Sequence, residues 1–287
     1  MTQAKARSKS SVKVKTIKAS GGVGPVEGYL YVEPKVARSG DTAVIDSDNV
    51  YYKQLNEAVR ASVADGATEV VINNVNGQRY IGTGLKGQTR IEVHGTPGND
   101  MAMFMDGPTV EVFGNAQDGV GNTMNKGTVI IHGDAGDVLG YGMRGGKVFI
   151  KGDVGYRVGI HMKAYENQVP TMVCGGKARD FFGEYMAGGL LVLLGMHTRI
   201  EGPLVGGYLG TGMHGGTIYL RGEVEPWQCG KEVGVFAASD EDMAELRPVL
   251  VEYCAAVGDD LDEVLSVPFT KLVPVSHRPY GKLYTYL

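Results

Sequence analysis

The chain has 287 residues, a formal net charge of −4, and 43% hydrophobic and 21% charged residues. The share of apolar residues excludes a wholly disordered chain, and the lack of a basic excess argues against a nucleic-acid-binding domain. Glycine is the unusual component, with 44 residues, about twice its usual share of roughly 7%.

The N-terminal segment is the one basic stretch. Its six basic residues precede the first acidic residue, Glu27: Lys5, Arg7, Lys9, Lys13, Lys15 and Lys18. They form either a solvated tail or an electrostatic arm for an acidic partner. The sequence has neither an apolar run long enough to span a membrane nor the apolar core of a signal peptide, so we expect a cytoplasmic protein.

Residues 51–65 have the pattern of an amphipathic helix. Leu55, Val59 and Val63 recur at every fourth position, and Asp48 or Asn49 is the expected N-cap. Residues 70–72 begin a first, irregular coil. We therefore predict three parts: a basic tail plus helical segment over residues 1–66, a glycine-repeat domain over 67–236 and a helical cap and tail over 237–287.

The central part is an internal repeat with a period of 19 residues. The period recurs in three separate series of residues, which are Gly95, Gly114, Gly133 and Gly152; Gly121, Gly140 and Gly159; and Met105, Met124, Met143 and Met162. All three series shift together where five residues are inserted, around 164–169, and again where eight are inserted after Gly195. Three independent landmarks that move together establish the repeat.

Each repeat contains a short strand pattern, with apolar residues two and four positions before its glycine. These pairs are Ile91/Val93, Val110/Val112, Val129/Ile131, Val148/Ile150, Met172/Cys174, Leu191/Leu193 and Ile218/Leu220. Alternation places each pair on one face of a strand, and stacking the repeats buries those faces in one core.

Nineteen residues are too few for a strand–helix–strand crossover. We therefore predict an all-β fold, a right-handed parallel β-helix (a β-solenoid) of about seven coils with flanking α-helices. Glycine-rich corners would join the short strands of each coil. Asn115, Asp134 and Asp153 follow the strand glycines, where we expect left-handed turns.

The outward position of each strand changes character along the solenoid. Glu92 and Glu111 come first, and five apolar residues follow them: Ile130, Phe149, Val173, Val192 and Tyr219. A contiguous apolar patch marks a contact surface. Either the C-terminal helix covers these five residues, or they form the contact face for a partner protein.

Two helices are expected after the solenoid. The sequence Ser239-Asp240-Glu241-Asp242 has the form of a capping box, and a helical stripe of Met243, Leu246, Leu250 and Tyr253 follows it. A second short helix is expected near Asp260–Leu265. Both helices can cap the solenoid, whose ends need covering.

The glycine motifs do not predict a nucleotide site. The pattern GxGxxG occurs three times, at Gly82-Gly84-Gly87, Gly140-Gly142-Gly145 and Gly210-Gly212-Gly215. A dinucleotide fingerprint needs a helix after the glycines, whereas a strand pattern follows each of these, so we interpret them as solenoid corners.

Metal-site and catalytic patterns are also weak. Cys174, Cys229 and Cys254 are far apart, so we expect no Fe–S or zinc site in this chain. His94 and His132 lie two coils apart, about 10 Å, too far to share a metal, and His161 and His214 lie in corners. We interpret all four as structural.

A carbohydrate-active solenoid was the remaining enzymatic alternative. Asp134, Asp137 and Asp153 would lie close together and could hold calcium or form a carboxylate pair. The single tryptophan, Trp227, gives little of the aromatic lining of an open sugar groove. We therefore assign no catalytic, cofactor-binding or metal-binding residue.

Two glycine-rich runs, 133–146 (GDAGDVLGYGMRGG) and 183–189 (GEYMAGG), resemble the glycine-repeat β-helix domain at the C-terminal end of the large glutamate synthase subunit. Residues 76–82 (NGQRYIG) are similar to the start of that domain and 269–274 (FTKLVP) to its closing segment. The resemblance covers about 70–285. The same repeat forms one subunit of formylmethanofuran dehydrogenases and of related formyltransferase/hydrolase complexes.

The resemblance implies a non-catalytic scaffold subunit of a multi-subunit glutamate synthase. Such a subunit would organise an amidotransferase partner and a partner that carries FMN and Fe–S clusters, with no cofactor of its own. The family's catalytic residues lie outside the matching region. The alternative is the corresponding β-helix subunit of a formylmethanofuran dehydrogenase or formyltransferase/hydrolase complex. In either case we expect a hetero-oligomer that binds neither nucleic acid nor a membrane.

Overall fold

The computed structural model describes residues 32–276. The predicted basic tail, from Lys5 to Lys18, and residues 277–287 lie outside the described residues. One twelve-stranded sheet runs through the described chain, in the order β1 to β10, then β12, then β11. The strands are β1 (Lys35–Ser39), β2 (Thr42–Asp46), β3 (Glu69–Asn76), β4 (Arg90–Thr96), β5 (Asp106–Phe113), β6 (Lys126–Ile131), β7 (Lys147–Ile150), β8 (Thr171–Cys174), β9 (Ala187–Leu193), β10 (Gly215–Arg221), β11 (Val233–Ala237) and β12 (Phe269–Pro274). The helices are α1 (Tyr52–Ala64), α2 (Asp240–Val257), α3 (Leu261–Leu265) and a short 3-10 helix (Pro226–Gln228).

The predicted parallel β-solenoid is confirmed. Strands β2 to β10 pair in parallel, each with the next, and the fourteen predicted inward side chains are all fully buried. The seven predicted strands, β4 to β10, are joined by six connections, so the repeat makes about six turns rather than seven.

Methionine fills one corner of the solenoid interior. Six methionines occupy equivalent positions in successive turns, and each has 0% exposure: Met105, Met124, Met143, Met162, Met186 and Met213. Burying one such side chain contributes about 1.5–3 kcal/mol. The unbranched thioether chain adapts to the narrow space left between stacked backbones.

Two of the glycines that follow the strands, Gly133 and Gly152, are required by a neighbouring side chain. The carboxamide of Asn115 accepts a hydrogen bond from the Asp134 N–H at 2.9 Å, and the Asp134 carboxylate accepts one from the Asp153 N–H at 2.9 Å. A Cβ atom at Gly133 or Gly152 would overlap these side chains. None of the three Asn/Asp residues has a positive φ, so our prediction of left-handed turns there is wrong. Their role is to satisfy the backbone of the next turn.

The N-terminal end of the sheet contains two strands that we did not predict. In β2, Ala43 and Ile45 are fully buried. Strand β2 pairs in parallel with β3, and α1 connects the two strands along the chain. Helix α1 packs Leu55 and Val59 into the core, as its periodicity predicted. The predicted cap is wrong, because Tyr51 is the N-cap and its side chain makes no capping hydrogen bond.

The C-terminal helices begin where the sequence predicted. Ser239 and Asp242 form the capping box of α2, and the Asp260 carboxylate caps α3. The chain then returns to the sheet, because β12 pairs antiparallel with both β10 and β11. The last solenoid strand is thus covered by the segment that follows the helices. None of the helices described between residues 32 and 276 is long and apolar enough to cross a membrane.

Candidate interaction surface

The sharpest bend of each turn has a shared backbone geometry. In a five-residue segment such as 138–142, the first, third and fifth residues all have positive φ. We call this segment the glycine corner. It recurs in every connection from β3 to β10. The first positions, here called the first-position column, are Tyr80, Asp100, Gly119, Val138, Arg157, Phe181 and Tyr208.

In the turns from β3 to β10 the third position of the glycine corner is a glycine whose Cβ would lie 3.3 Å or less from a neighbouring side chain, except in the turn between β4 and β5, where Ala102 holds it. A Cβ atom at Gly159 would overlap Cδ1 of Leu191 and lie 2.9 Å from its Cδ2, and Leu191 is fully buried. The first and fifth positions point outward and accept large side chains. His161 and Tyr185, for example, occupy the fifth position at φ 55° and 52°.

Non-glycine residues in this conformation cost about 1–2 kcal/mol each. Strain of this kind persists where surrounding structure enforces it and clusters at functional sites. The glycine corners therefore present strained, outward side chains in a row along one edge of the solenoid. This edge is the candidate site.

Aromatic rings line the C-terminal half of the edge. The rings of Phe181 and Tyr208 stack with centroids 4.8 Å apart, and those of His161 and Tyr185 stack at 5.3 Å. Tyr208 remains 59% exposed. Stacking along the solenoid axis fixes the rings while their edges stay open to solvent, which is the arrangement of a rigid contact surface.

Arg157 adds a positive charge to the same half. Its guanidinium carbon lies 4.4 Å from the centre of the Phe181 ring, within cation–π range. Its Nε lies 3.1 Å from a carboxylate oxygen of Glu184, whose side chain is only 10% exposed, while the Arg157 side chain is 47% exposed. The guanidinium is held in place on one side and open to solvent on the other.

The N-terminal half of the edge is concave and acidic. A cavity of about 310 Å³ is lined by Asn99, Asp100, Asp118, Gly119, Asn122, Val138 and Tyr141. A Cβ atom at Gly119 would lie 2.6 Å from Asp100 Oδ1, so glycine at this first position makes room for the Asp100 carboxylate. Asp100 accepts a hydrogen bond from the Asn122 side chain at 3.2 Å and makes no ion pair within the described residues.

The five outward apolar residues are not part of any exposed surface. Ile130, Phe149, Val173, Val192 and Tyr219 have 0–9% exposure and pack against Leu246, Leu250, Tyr253, Val257 and Phe269. The first of the two sequence-based alternatives therefore holds, since α2, α3 and β12 cover this stripe. The expectation that a partner protein contacts these five side chains is corrected, because the chain's own C-terminal segment buries them.

Polar contacts fasten the C-terminal segment over the stripe. The buried Asp259 carboxylate is bonded by His197 at 2.8 Å, Lys151 at 3.2 Å and the Tyr253 hydroxyl at 3.2 Å. Burial and the neighbouring Asp259 raise the pKa of Tyr253, which keeps it a neutral donor. The cover is thus held by both apolar packing and ion pairs.

A second fastening lies at the start of α2. Lys271 and the Tyr219 hydroxyl both contact the Asp242 carboxylate. The Lys271 ammonium and the capping-box N–H of Ser239 hold the pKa of Asp242 at about 2. This contact joins α2 to both β10 and β12.

The acids considered for calcium serve the backbone instead. Asp134 and Asp137 each accept a hydrogen bond from an N–H of the next turn at 2.9 Å. Asp153 accepts the N–H groups of Lys177 and Arg199. Burial raises the pKa of Asp153, but these two hydrogen bonds outweigh it and the pKa is lowered overall. Residues 32–276 hold no cluster of histidine, cysteine or acidic side chains that fits a metal ion.

The histidines and glycine motifs lie where the sequence predicted. His94, Phe113 and His132 form one stack with ring centroids 4.9 and 5.1 Å apart, and Glu111 accepts from both His132 and Arg90. The three GxGxxG matches are corners that lead into β4, β7 and β10.

The described cysteines carry no disulfide. Cys174 and Cys254 are buried, and burial raises the pKa of Cys254 to about 11. A thiol held neutral in this way is a poor nucleophile and a poor metal ligand.

Sequence reasoning missed the edge as a site. The signal was present, because Arg157, Phe181 and Tyr208 all lie two residues before the corner glycines Gly159, Gly183 and Gly210. Reading that column requires knowing that the position has positive φ and points outward, which the spacing alone does not reveal.

The fold and this edge define a class of protein: a parallel β-solenoid whose corners have positive φ at the first, third and fifth positions, with glycine at the third position in every turn from β3 to β10 except that of Ala102. Residues 48–274 match the sequence model of the GXGXG motif family, and the chain belongs to that family. An uncharacterized protein of Methanocaldococcus jannaschii is 44% identical over 253 residues, which cover 85% of this chain and 97% of the relative.

Proposed function

We propose that this chain is a non-catalytic β-helix scaffold subunit of a multi-subunit glutamate synthase. In this proposal it organises an amidotransferase subunit and a subunit carrying FMN and Fe–S clusters, which together aminate 2-oxoglutarate with nitrogen from glutamine. The observation that carries the proposal is the extent of the GXGXG match, which runs over residues 48–274 and includes the solenoid, its cap and the closing strand β12.

The use of the polar side chains supports a structural role. The carboxylates of Asp134, Asp137 and Asp153 accept hydrogen bonds from backbone N–H groups. The Asp259 carboxylate pairs with Lys151 and His197 and so holds the C-terminal segment in place. A scaffold needs a rigid body, and the side chains stacked from turn to turn along the edge help to provide one.

Affinity purification of the full, tagged chain from its native source tests the proposal. We expect a yellow-brown complex that contains an amidotransferase chain and a flavin and Fe–S chain, identified by mass spectrometry. The purified complex should form glutamate from glutamine and 2-oxoglutarate, whereas the chain expressed alone should be colourless and inactive. An untagged strain is the control for nonspecific capture.

Two other results would overturn the proposal. Partners with a metal–pterin centre or an amidohydrolase-type chain would instead place this subunit in a formylmethanofuran-type complex. A colourless chain that elutes without partners at native expression levels would remove the scaffold role altogether.

A further inference from the structure

The first-position column is nearly self-complementary when read in opposite directions. From the N-terminal to the C-terminal turn it runs Tyr80, Asp100, Gly119, Val138, Arg157, Phe181 and Tyr208. A twofold axis passing between the turns of Gly119 and Val138 exchanges Asp100 with Arg157 and Tyr80 with Phe181. Opposite charges and aromatic rings then face each other, which is what an isologous contact between two copies requires.

The shape of the edge matches its chemistry. The same axis places the exposed Arg157 side chain of one copy over the cavity of the other, which Asp100, Asp118 and Asn122 line. Gly119 makes room for the Asp100 carboxylate at the cavity wall. The small residues lie at the centre of the edge, where two solenoids must approach most closely.

Arg157 and Asp100 can each form a further ion pair or hydrogen bond with a second copy of the chain. Arg157 is 47% exposed and uses its Nε for Glu184, so its terminal nitrogens are free for a second carboxylate. Asp100 bonds Asn122 without an ion pair in the described chain. Arginine and aromatic residues are enriched at interfaces, and side chains fixed by stacking lose little entropy on binding.

We propose that this edge is the interface of a twofold homodimer of the chain. Adjacent turns lie about 4.8 Å apart, so the six paired turns from Tyr80 to Phe181 span about 24 Å. A standard interface buries about 800 Å² on each partner, and a strip of that length reaches this area at a width of about 33 Å. Such a strip includes the fifth-position residues His161 and Tyr185 beside the column.

Analytical ultracentrifugation of the full chain tests the dimer. We expect wild-type protein to sediment at twice its 30.6 kDa. The substitutions Arg157→Asp and Asp100→Arg each create two like-charge contacts in the dimer, because the axis repeats every contact. Each should weaken dimerisation by about 100-fold or more.

Charge exchange makes the test specific. The double variant Asp100→Arg/Arg157→Asp restores both attractive contacts and should dimerise again. A mixture of the two single variants, one of them tagged, should co-purify as a heterodimer. Arg247→Asp is the matched control, since Arg247 is exposed on α2 away from the edge, and it should leave the dimer intact.

The outcomes separate cleanly from those of the scaffold proposal, because the isolated chain suffices. Arg157→Asp also removes the partner of Glu184, so Asp100→Arg, which leaves that pair intact, decides the matter if the first variant misfolds. A monomeric wild-type chain at high micromolar concentration would overturn the proposal. So would a dimer that Asp100→Arg does not weaken.

Discussion

Two rows of outward side chains run along the solenoid. One row is buried by the C-terminal segment, and the other remains partly exposed to solvent. The stripe on the strand face, from Ile130 to Tyr219, is buried to 9% exposure or less. The first-position column on the glycine corners leaves Tyr208 59% exposed. Both rows repeat once per turn, so the repeat itself does not decide which row is covered.

The difference lies in the shape of the backbone beneath each row. A strand face is flat and offers a surface on which the apolar side of α2 can pack, with Leu246 and Leu250 at 1% and 0% exposure. At the corner the chain turns through three positive-φ residues. It therefore offers no flat strand face on which a helix of the same chain can pack.

Removing part of the cover should have the largest effect. Leu250→Ala deletes a fully buried side chain between α2 and the stripe, and we expect the free energy of unfolding to fall by about 2–5 kcal/mol. Urea denaturation measures the loss. Bound hydrophobic dye should report exposure of the stripe at the same time.

The adjacent residue is the matched control. Val251 is 46% exposed on the outer side of α2, and Val251→Ala should change stability by about 0.5 kcal/mol or less. Equal losses in the two variants would contradict the view that α2 stabilises the fold through its covered face.

The corner is sensitive at its middle position. Gly159→Ala adds a Cβ at φ +74° that overlaps Leu191, and we expect a loss of about 3 kcal/mol from backbone strain plus overpacking. Thermal unfolding and urea titration both measure it. Gly142→Ala introduces the same atom at φ +56° with the nearest neighbour 3.8 Å away, and it should cost about 1 kcal/mol.

The two alanine variants test the distinction between inward and outward corner positions. A Gly142→Ala variant as unstable as Gly159→Ala would show that backbone strain, and not crowding of the core, explains the glycine at the middle position.

The repeating part of the fold was predictable because stacking turns a local pattern into a global one. The pairs from Ile91/Val93 to Ile218/Leu220 alternate and recur, and every one of them is buried. Helices α2 and α3 were predictable from the caps Ser239 and Asp260. Strands β1 and β2 were missed because a single apolar pair, Ala43 and Ile45, carries no repeat to reinforce it.

The site was less predictable, since it depends on which segment covers which face. The apolar residues at Phe149 and Val173 indicated a contact surface, and the contact is with the chain's own α2. The edge at Arg157 was not recognised because aromatic and charged residues at a corner resemble ordinary exposed positions until their φ values are known. Gly133 and Gly152 have their cause in the preceding turn, the packing of Asn115 and Asp134, each 18 residues earlier in the sequence.

The ion pair that fastens α2 to the sheet should make the cover sensitive to acid. The pKa of Asp242 is about 2 against 3.8 in the absence of its partners, so its contribution is present above about pH 4 and is lost as the pH falls towards 2. Because the pair lies near the surface, we expect it to contribute about 1 kcal/mol. Lys271→Met should remove that amount at pH 7 and progressively less as the pH falls from 4 towards 2.

Urea titrations at a series of pH values measure this difference. Lys231→Met is the control, because Lys231 is exposed and has no ion pair in the described chain; its difference from wild type should stay flat between pH 7 and pH 2. A Lys271→Met deficit that does not shrink between pH 7 and pH 2 would show that the effect does not come from the ion pair with Asp242.

The smallest effect is expected at the exposed end of the first-position column. Tyr208→Ala removes the stack on Phe181 but keeps a Cβ at φ +59°, so we expect a loss of about 0.5–1.5 kcal/mol. Tyr208→Gly removes the same stack and also relieves strain of about 1 kcal/mol, so its stability should lie close to wild type. Urea denaturation of both variants separates the contribution of the stacked ring from the cost of the backbone strain. If Tyr208→Ala were as damaging as Leu250→Ala, the exposed column would be part of the folding core, and the contrast between a covered face and an open edge would fail.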